Sequence, residues 1–227
     1  MNPTHDAVEI QTGERPDAAV IWLHGLGADA HDFEPIVPEL RLPSRLSVRF
    51  VFPNAPVRPV TINGGMPMRA WYDIVELGGV RQDEAGIRAS ERSLVQLIER
   101  ENARGIDAGR IVVAGFSQGG AIALQTGLRY PQALAGILAL STWLPLHETL
   151  EAERSDANAQ VAILCAHGVH DDMVGIERAR ASRAVLEGLG YPVQWREYRM
   201  GHAVCAEEIA DIGAWLESVL GTTTSAL

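Results

Sequence analysis

A serine lies between two glycines in the segment Gly115-Phe116-Ser117-Gln118-Gly119. This G-x-S-x-G pattern directly follows an apolar run at 110–114 and precedes a segment of small residues at 120–129 that is typical of a helix. In such a strand–turn–helix setting the glycines allow two backbone segments to approach, and the serine Oγ stands at the carboxyl end of the strand. The pattern predicts that Ser117 is a nucleophile, and a plain glycine turn is the alternative.

A serine hydroxyl needs a base to take its proton at neutral pH, and the base needs a third group that fixes its tautomer. His202 follows a candidate strand at 193–198 through a short loop and precedes the last amphipathic segment. Ligands of open α/β sheets bind at the carboxyl ends of the strands, so we expect His202 to meet Ser117 there. A structural His202 that caps the last helix is the alternative.

The acid of such a triad is expected in the segment His167-Gly168-Val169-His170-Asp171-Asp172, which follows another apolar run. Both aspartates lie between the serine and the histidine in the chain, in the order Ser, Asp, His of α/β-hydrolases. Spacing alone does not separate Asp171 from Asp172. The same cluster of histidines and carboxylates is also compatible with a metal site, which would leave Ser117 and His202 without a role.

Acyl transfer also needs N–H donors for the oxygen that becomes negative. The N–H of Gln118, directly after the serine, is one candidate. The other is the N–H of Leu26, in the glycine-containing loop His24-Gly25-Leu26-Gly27-Ala28 after an early apolar run. We expect His24 to brace this loop.

The elements that must position these residues alternate between two periodicities. Short runs rich in Val, Ile and Leu suit strands that are buried on both faces, and they occur at 18–23, 48–52, 110–114, 135–140 and 161–166. The segment 193–198 is a sixth, less uniform strand candidate. Amphipathic segments predict helices at 83–104, 179–189 and 204–220, and a short or kinked one at 33–40 that contains Pro38. This alternation predicts one α/β domain over 1–220, with a mostly parallel central sheet and helices on both faces. The tail 221–227 is expected to fray.

The stretch 53–82 breaks this rhythm. Its 30 residues hold four prolines and four glycines, and they show no sustained period. Connections in compact domains usually have about 2–6 residues, and long irregular inserts are usually functional. We therefore expect this insert to border the site.

Composition excludes several classes of function. The 227 residues are 47% hydrophobic, with 19 basic against 29 acidic side chains and a net charge of −10. Such a charge repels nucleic acids and anionic lipids, and no apolar stretch approaches the ~18 residues of a membrane span. Cys165 and Cys205 lack the spacing of a zinc site or a disulfide framework. We expect a cytoplasmic protein that acts on a small molecule.

Seven segments together resemble the carboxylesterase and acyl-protein thioesterase family of α/β-hydrolases, also described as phospholipase/carboxylesterase. They are Leu23-His24-Gly25-Leu26-Gly27-Ala28, Phe52-Pro53-Asn54-Ala55-Pro56, Ala70-Trp71-Tyr72-Asp73, Gly115-Phe116-Ser117-Gln118-Gly119-Gly120, Leu140-Ser141-Thr142-Trp143-Leu144-Pro145, His167-Gly168-Val169-His170-Asp171 and Met200-Gly201-His202.

The resemblance implies the α/β-hydrolase fold without a large cap domain, and it selects Asp171 over Asp172 as the acid. It also implies an acyl groove bordered by Trp71, Trp143 and Met173. Members of the family are often dimers, but nothing in this chain fixes the oligomeric state, and a homodimer stays open.

The expected function is hydrolysis of carboxylic esters with short to medium acyl chains through an acyl-enzyme, with no metal or organic cofactor. A thioesterase that removes S-acyl groups from proteins is the main alternative. A metal-assisted hydrolase and a catalytically silent binding domain are further alternatives, because a fold alone does not establish function.

Overall fold

The computed structural model describes residues 6–76 and 81–221, and a seven-stranded sheet forms their centre. The strands of the described chain are β1 (Ala7–Gln11), β2 (Ala18–Leu23), β3 (Val48–Pro53), β4 (Val57–Val60), β5 (Met66–Arg69), β6 (Ile111–Phe116), β7 (Gly136–Leu140), β8 (Ile163–Gly168) and β9 (Val193–Tyr198). The order in the central sheet is β1-β3-β2-β6-β7-β8-β9, and β4 and β5 form a separate antiparallel pair. All pairings in the central sheet are parallel except that of β1 with β3.

The α-helices are α1 (Glu84–Ala103), α2 (Gln118–Gly127), α3 (His147–Glu153), α4 (Ile176–Gly188) and α5 (Ala206–Leu220). Asp83 caps α1, because its carboxylate accepts a hydrogen bond from the Gly86 N–H (2.9 Å). The segment at 33–40 forms two single 3₁₀ turns, Glu34–Ile36 and Pro38–Leu40, as the proline at 38 suggests. None of the helices in the described residues is long and apolar enough to cross a membrane.

Successive residues of the buried strands supply two apolar cores, one on each face of the sheet. In β2, Ile21 packs in the core that α1 to α4 cover, whereas Val20 packs in the core that α5 covers. Both faces are therefore apolar, which explains why these strands appear as unbroken hydrophobic runs. The predicted mostly parallel sheet with helices on both faces is confirmed. In the described chain no large cap is inserted, because only α3 and a 3₁₀ turn lie between β7 and β8.

The structure contains elements that the hydrophobic pattern did not predict. β1 is a half-exposed edge strand, and α3 has seven residues. The insert at 53–82 is not irregular throughout, because it contains the β4–β5 hairpin, in which Pro59 lies opposite Pro67. Prolines lower strand propensity, which hid this hairpin. The insert residues 77–80 and the tail residues 222–227 lie outside the described part of the chain.

Candidate active site

Ser117 occupies a strained turn between β6 and α2. Its φ and ψ are 54° and −121°, a combination that non-glycine residues rarely adopt. The turn is tight on both sides, because a Cβ on Gly115 would lie 2.3 Å from the Gly119 carbonyl carbon, and one on Gly119 would lie 2.3 Å from the Leu23 oxygen. The Ser117 N–H donates to the Leu140 carbonyl (2.8 Å), which ties the turn to β7. The glycines are therefore required by packing.

Ser117, His202 and Asp171 form a continuous chain of hydrogen bonds at the carboxyl ends of β6, β8 and β9. His202 Nε2 lies 2.9 Å from Ser117 Oγ, and His202 Nδ1 lies 2.7 Å from Asp171 Oδ2. An ionised carboxylate only accepts hydrogen bonds, so the proton of a neutral His202 is assigned to Nδ1. Nε2 then has a free lone pair that faces the serine hydroxyl, which is the arrangement a general base requires.

The loop after β8 distinguishes the two aspartates. Asp171 is buried, and its Oδ1 accepts hydrogen bonds from the N–H groups of Met173 (3.0 Å) and Val174 (2.8 Å). This leaves Oδ2 for His202. Asp172 is exposed on the same loop. The geometry therefore supports Asp171 as the partner of His202.

His167, near the end of β8, is hydrogen-bonded to the backbone of the following loop. His167 Nε2 lies 2.7 Å from the Val174 carbonyl oxygen, and burial lowers the pKa of His167, so the neutral ring donates to Val174. No group of three or more His, Cys, Asp or Glu side chains that could hold a metal ion occurs in residues 6–76 and 81–221. The convergence of Ser117, His202 and Asp171 favours the serine mechanism over the metal alternative.

Two backbone N–H groups are available beside the serine. Gln118 is the first residue of α2, and first-turn N–H groups have no acceptor within their helix. The N–H of Leu26 has no acceptor among the described residues. The Leu26 loop is adjacent to the nucleophile, because a Cβ on Gly25 would lie 3.6 Å from Ser117 Cβ. This placement is compatible with the predicted oxyanion donors.

His24 supports the Leu26 loop from below. Its Nδ1 lies 2.7 Å from the Gly25 oxygen, and its Nε2 accepts a hydrogen bond from the Ala55 N–H (3.1 Å). Burial lowers the pKa of His24, which keeps the ring neutral as this donor and acceptor pattern requires. These contacts are those of a bracing residue.

A cavity of about 390 Å³ opens beside the triad. Ser117 and His202 lie on its wall, and the insert contributes Ile62, Tyr72 and Ile74. The insert therefore borders the site in the described part of the chain. Pockets of roughly 300–1,000 Å³ are typical of small-molecule sites.

The three residues expected at the acyl groove have different positions. Trp143 and Met173 line the cavity, and Met173 is 64% exposed at its mouth. Trp71 is only 2% exposed and is not one of the described residues that line the cavity. Its Nε1 donates to the His24 carbonyl (2.9 Å), and its N–H donates to Gln118 Oε1 (2.8 Å). Trp71 therefore packs between the insert and the Ser117 turn, and its role at the acyl groove stays a prediction.

Gln82 and Arg178 are among the polar residues of the cavity wall that sequence reasoning missed. Gln82 lies at the end of the insert, and Arg178 lies in the first turn of α4. Neither belongs to a motif, so no signal in the sequence could have placed them at the cavity.

A strained serine turn at the centre of a mostly parallel sheet, with histidine and aspartate following in chain order, defines an α/β-hydrolase. Residues 5–220 match the phospholipase/carboxylesterase family, and the chain belongs to this family. It is accordingly an enzyme of the hydrolase class.

Relatives and solved structures agree with this assignment. The chain is 40% identical over 213 residues to acyl-protein thioesterase 1 of Gibberella zeae, covering 89% of this chain and 91% of the relative. It is 40% identical over 226 residues to acyl-protein thioesterase 1 of Mycosarcoma maydis, covering 92% and 94%. The crystal structure of Zea mays acyl-protein thioesterase 2 superposes with a TM-score of 0.84 at 31% identity, covering 95% of this chain and 99% of the other.

Proposed function

We propose that the protein is a serine hydrolase that cleaves carboxylic esters of short to medium acyl chains. The observation that carries the proposal is the hydrogen-bond chain from Ser117 Oγ through His202 to Asp171, with distances of 2.9 and 2.7 Å. A cavity of about 390 Å³ beside Ser117 supports a small substrate.

In the first half of the reaction Ser117 Oγ attacks the ester carbonyl carbon while His202 Nε2 takes the hydroxyl proton. Asp171 stabilises the imidazolium, and the N–H groups of Leu26 and Gln118 donate to the negative oxygen. The tetrahedral intermediate collapses as His202 gives the proton to the leaving alcohol. The product of this half is an ester between the acyl group and Ser117.

In the second half a water molecule replaces the alcohol. His202 Nε2 takes a proton from the water, and the resulting hydroxide attacks the acyl carbon of the ester on Ser117. Collapse of the second intermediate returns the proton from His202 to Ser117 Oγ and releases the carboxylic acid. Every step uses groups of this chain and water, so the proposed mechanism requires no metal or organic cofactor.

Thioester cleavage is the second candidate, because the relatives at 40% identity are named acyl-protein thioesterases. The same steps apply when the leaving group is a thiolate. Rates on an ester and on an S-acyl peptide with the same acyl chain would separate the two. A higher kcat/KM on the ester supports ester cleavage as the main activity, and a large preference for the peptide would make thioester cleavage the main activity instead.

Covalent labelling tests the serine mechanism independently of substrate choice. A fluorophosphonate should modify the native enzyme at Ser117, and the heat-unfolded enzyme should not react. Mass spectrometry of the digested protein identifies the modified residue. An adduct on any other residue, or no adduct in an active preparation, would contradict the proposal.

Cellular location and assembly stay predictions. We propose a cytoplasmic enzyme, supported by Cys165 and Cys205, which are both free thiols. Fractionation of cells that express the tagged protein tests the location. Sedimentation velocity tests whether the protein forms a homodimer.

A further inference from the structure

Arg178 carries an isolated positive charge in the cavity wall. It lies in the first turn of α4, and its guanidinium carbon is 4.1 Å from the centre of the Trp143 ring. Arg178 lines both the main cavity and a side pocket of about 180 Å³. The two spaces also share Gln82 and Trp143, so they adjoin at these three side chains.

The guanidinium of Arg178 has no carboxylate partner in residues 6–76 and 81–221, whereas other arginines nearby are paired. Arg81, on the main cavity wall, has its Nε 3.9 Å from a Glu76 oxygen. Arg180, also in α4, contacts Glu177 (2.7 Å) and Glu197 (2.9 Å). Burial lowers the pKa of Arg178, which means that its charge is partly desolvated without a counterion.

The side pocket offers donors and no described carboxylate. Gln82 Oε1 accepts a hydrogen bond from the Leu146 N–H (3.2 Å), which leaves the Gln82 amide N–H groups available. His147 also lines the pocket, and Glu148, 3.5 Å from its Nε2, is exposed and not one of the described lining residues. Ser182 is already satisfied, because its Oγ accepts from Leu144 N–H and donates to the Arg178 carbonyl.

Acidic residues lie elsewhere on the main cavity wall. Asp32, Asp73 and Glu76 line that cavity but are not among the described residues of the side pocket. A negative group is therefore repelled by those carboxylates and attracted toward Arg178, whose charge is not offset by a described carboxylate. The buried hydroxyl of Tyr72, also on the main cavity wall, has no hydrogen-bond partner in the described chain. Burial raises the pKa of Tyr72, and the positive charge of Arg178 opposes this rise.

We propose that Arg178 and the side pocket bind a carboxylate at the far end of the acyl chain, while the ester carbonyl of the same substrate lies at Ser117. The substrate class is then an ester of a dicarboxylic acid with one free carboxylate. The guanidinium lies over the Trp143 ring, and its N–H edge can bind a carboxylate through two parallel hydrogen bonds. This inference rests on the proposed function, which places the acyl chain in the main cavity.

The test compares p-nitrophenyl monoesters of adipic, suberic and sebacic acid with the matching ω-carboxamides, which have the same length and no charge. The quantity measured is the ratio of kcat/KM for the acid to kcat/KM for the amide. The wild-type ratio should exceed one for at least one chain length. In Arg178→Gln this ratio should fall by about 10- to 100-fold, as expected for losing charge-assisted hydrogen bonds.

Two further variants control this result. Arg180→Gln removes a paired arginine of the same helix and should leave the ratio unchanged. Arg178→Lys keeps the charge without the planar fork, so it should retain part of the preference. Partial misfolding lowers kcat/KM for the acid and for the amide by the same factor. This factor cancels in the ratio, so the ratio reports recognition of the carboxylate.

The inference is overturned if wild type shows no preference for the acid at any length, or if Arg178→Gln has the wild-type ratio. Failure of the underlying function has a different result. In that case Ser117→Ala would hydrolyse the p-nitrophenyl esters that carry the neutral carboxamide as fast as wild type, whatever the acid-to-amide ratio.

Discussion

Asp171→Asn should reverse the direction of the hydrogen bond that controls His202. In the wild type Asp171 Oδ1 accepts from the N–H groups of Met173 and Val174, and Oδ2 accepts from His202 Nδ1–H. An asparagine has only one side-chain oxygen, and the two backbone donors fix it at the Oδ1 position. The amide NH₂ then faces His202 Nδ1.

The consequence reaches Ser117 through the imidazole ring. Nδ1 must now accept a hydrogen bond, so the ring proton moves to Nε2, which lies 2.9 Å from Ser117 Oγ. A protonated Nε2 cannot take the serine proton. The analogous substitution in a serine protease lowers kcat by about 10⁴-fold through the same tautomer change, and we expect a loss of that order.

The assay is kcat for p-nitrophenyl butyrate, with circular dichroism to establish that the fold is kept. Asp172→Asn is the matched control, because Asp172 is the adjacent, exposed carboxylate. It should stay within about threefold of wild type, as surface substitutions usually have small effects. An Asp171→Asn enzyme within tenfold of wild type, or an equal loss in Asp172→Asn, would refute this reasoning.

Two stability predictions follow from buried positions, Gly119 in the Ser117 turn and Glu208 in α5. Gly119→Ala places a Cβ 2.3 Å from the Leu23 oxygen, so it should lower the free energy of unfolding by about 1–3 kcal/mol, whereas Gly188→Ala, which meets open space, should not destabilise. Equal melting temperatures for the two variants would contradict this. Burial raises the pKa of Glu208 to about 8 from an ordinary 4.5, so the folded protein holds this proton to higher pH than the unfolded chain. The contribution of Glu208 to stability is therefore full below pH 4.5 and is lost as the pH rises toward 8. The free energy of unfolding of Glu208→Gln, measured with urea, should increase relative to that of wild type as the pH rises through this range. A difference that does not change with pH would contradict the raised pKa of Glu208.

The fold could be predicted largely because its central strands are buried on both faces. Runs such as 18–23 are apolar throughout and only about six residues long, a length typical of buried strands between amphipathic helices. β1 lacked this signal because it is an edge strand with partly exposed residues, and the β4–β5 hairpin was hidden by its prolines. β1 forms by pairing with the distant strand β3, and β4 forms by pairing with the proline-containing strand β5. A local hydrophobic pattern does not indicate either pairing.

Ser117, Asp171 and His202 could be proposed from the sequence for a different reason. Ser117 lies in a turn whose glycines are required locally, and the order of Ser117, Asp171 and His202 follows from the fold class. The choice of Asp171 over Asp172 came from resemblance, and the physical reason is visible only in the structure, where two backbone donors orient the Asp171 carboxylate.

The cavity wall could not be derived from sequence. Arg178, Arg180 and Arg183 share one helix, but Arg180 and Arg183 contact Glu197 and Glu187. Only the tertiary arrangement shows that Arg178 faces the cavity. The burial of Trp71 is visible only in the structure for the same reason, because an aromatic residue in an insert can face either the core or a ligand.

Removing the Ser117 hydroxyl tests the account most directly. Ser117→Ala, prepared in a host without background esterase activity, should lose turnover of p-nitrophenyl butyrate by a factor on the order of 10⁶ while keeping the wild-type melting temperature. A folded Ser117→Ala protein that retains a tenth of the wild-type rate would show that the reaction does not pass through this serine.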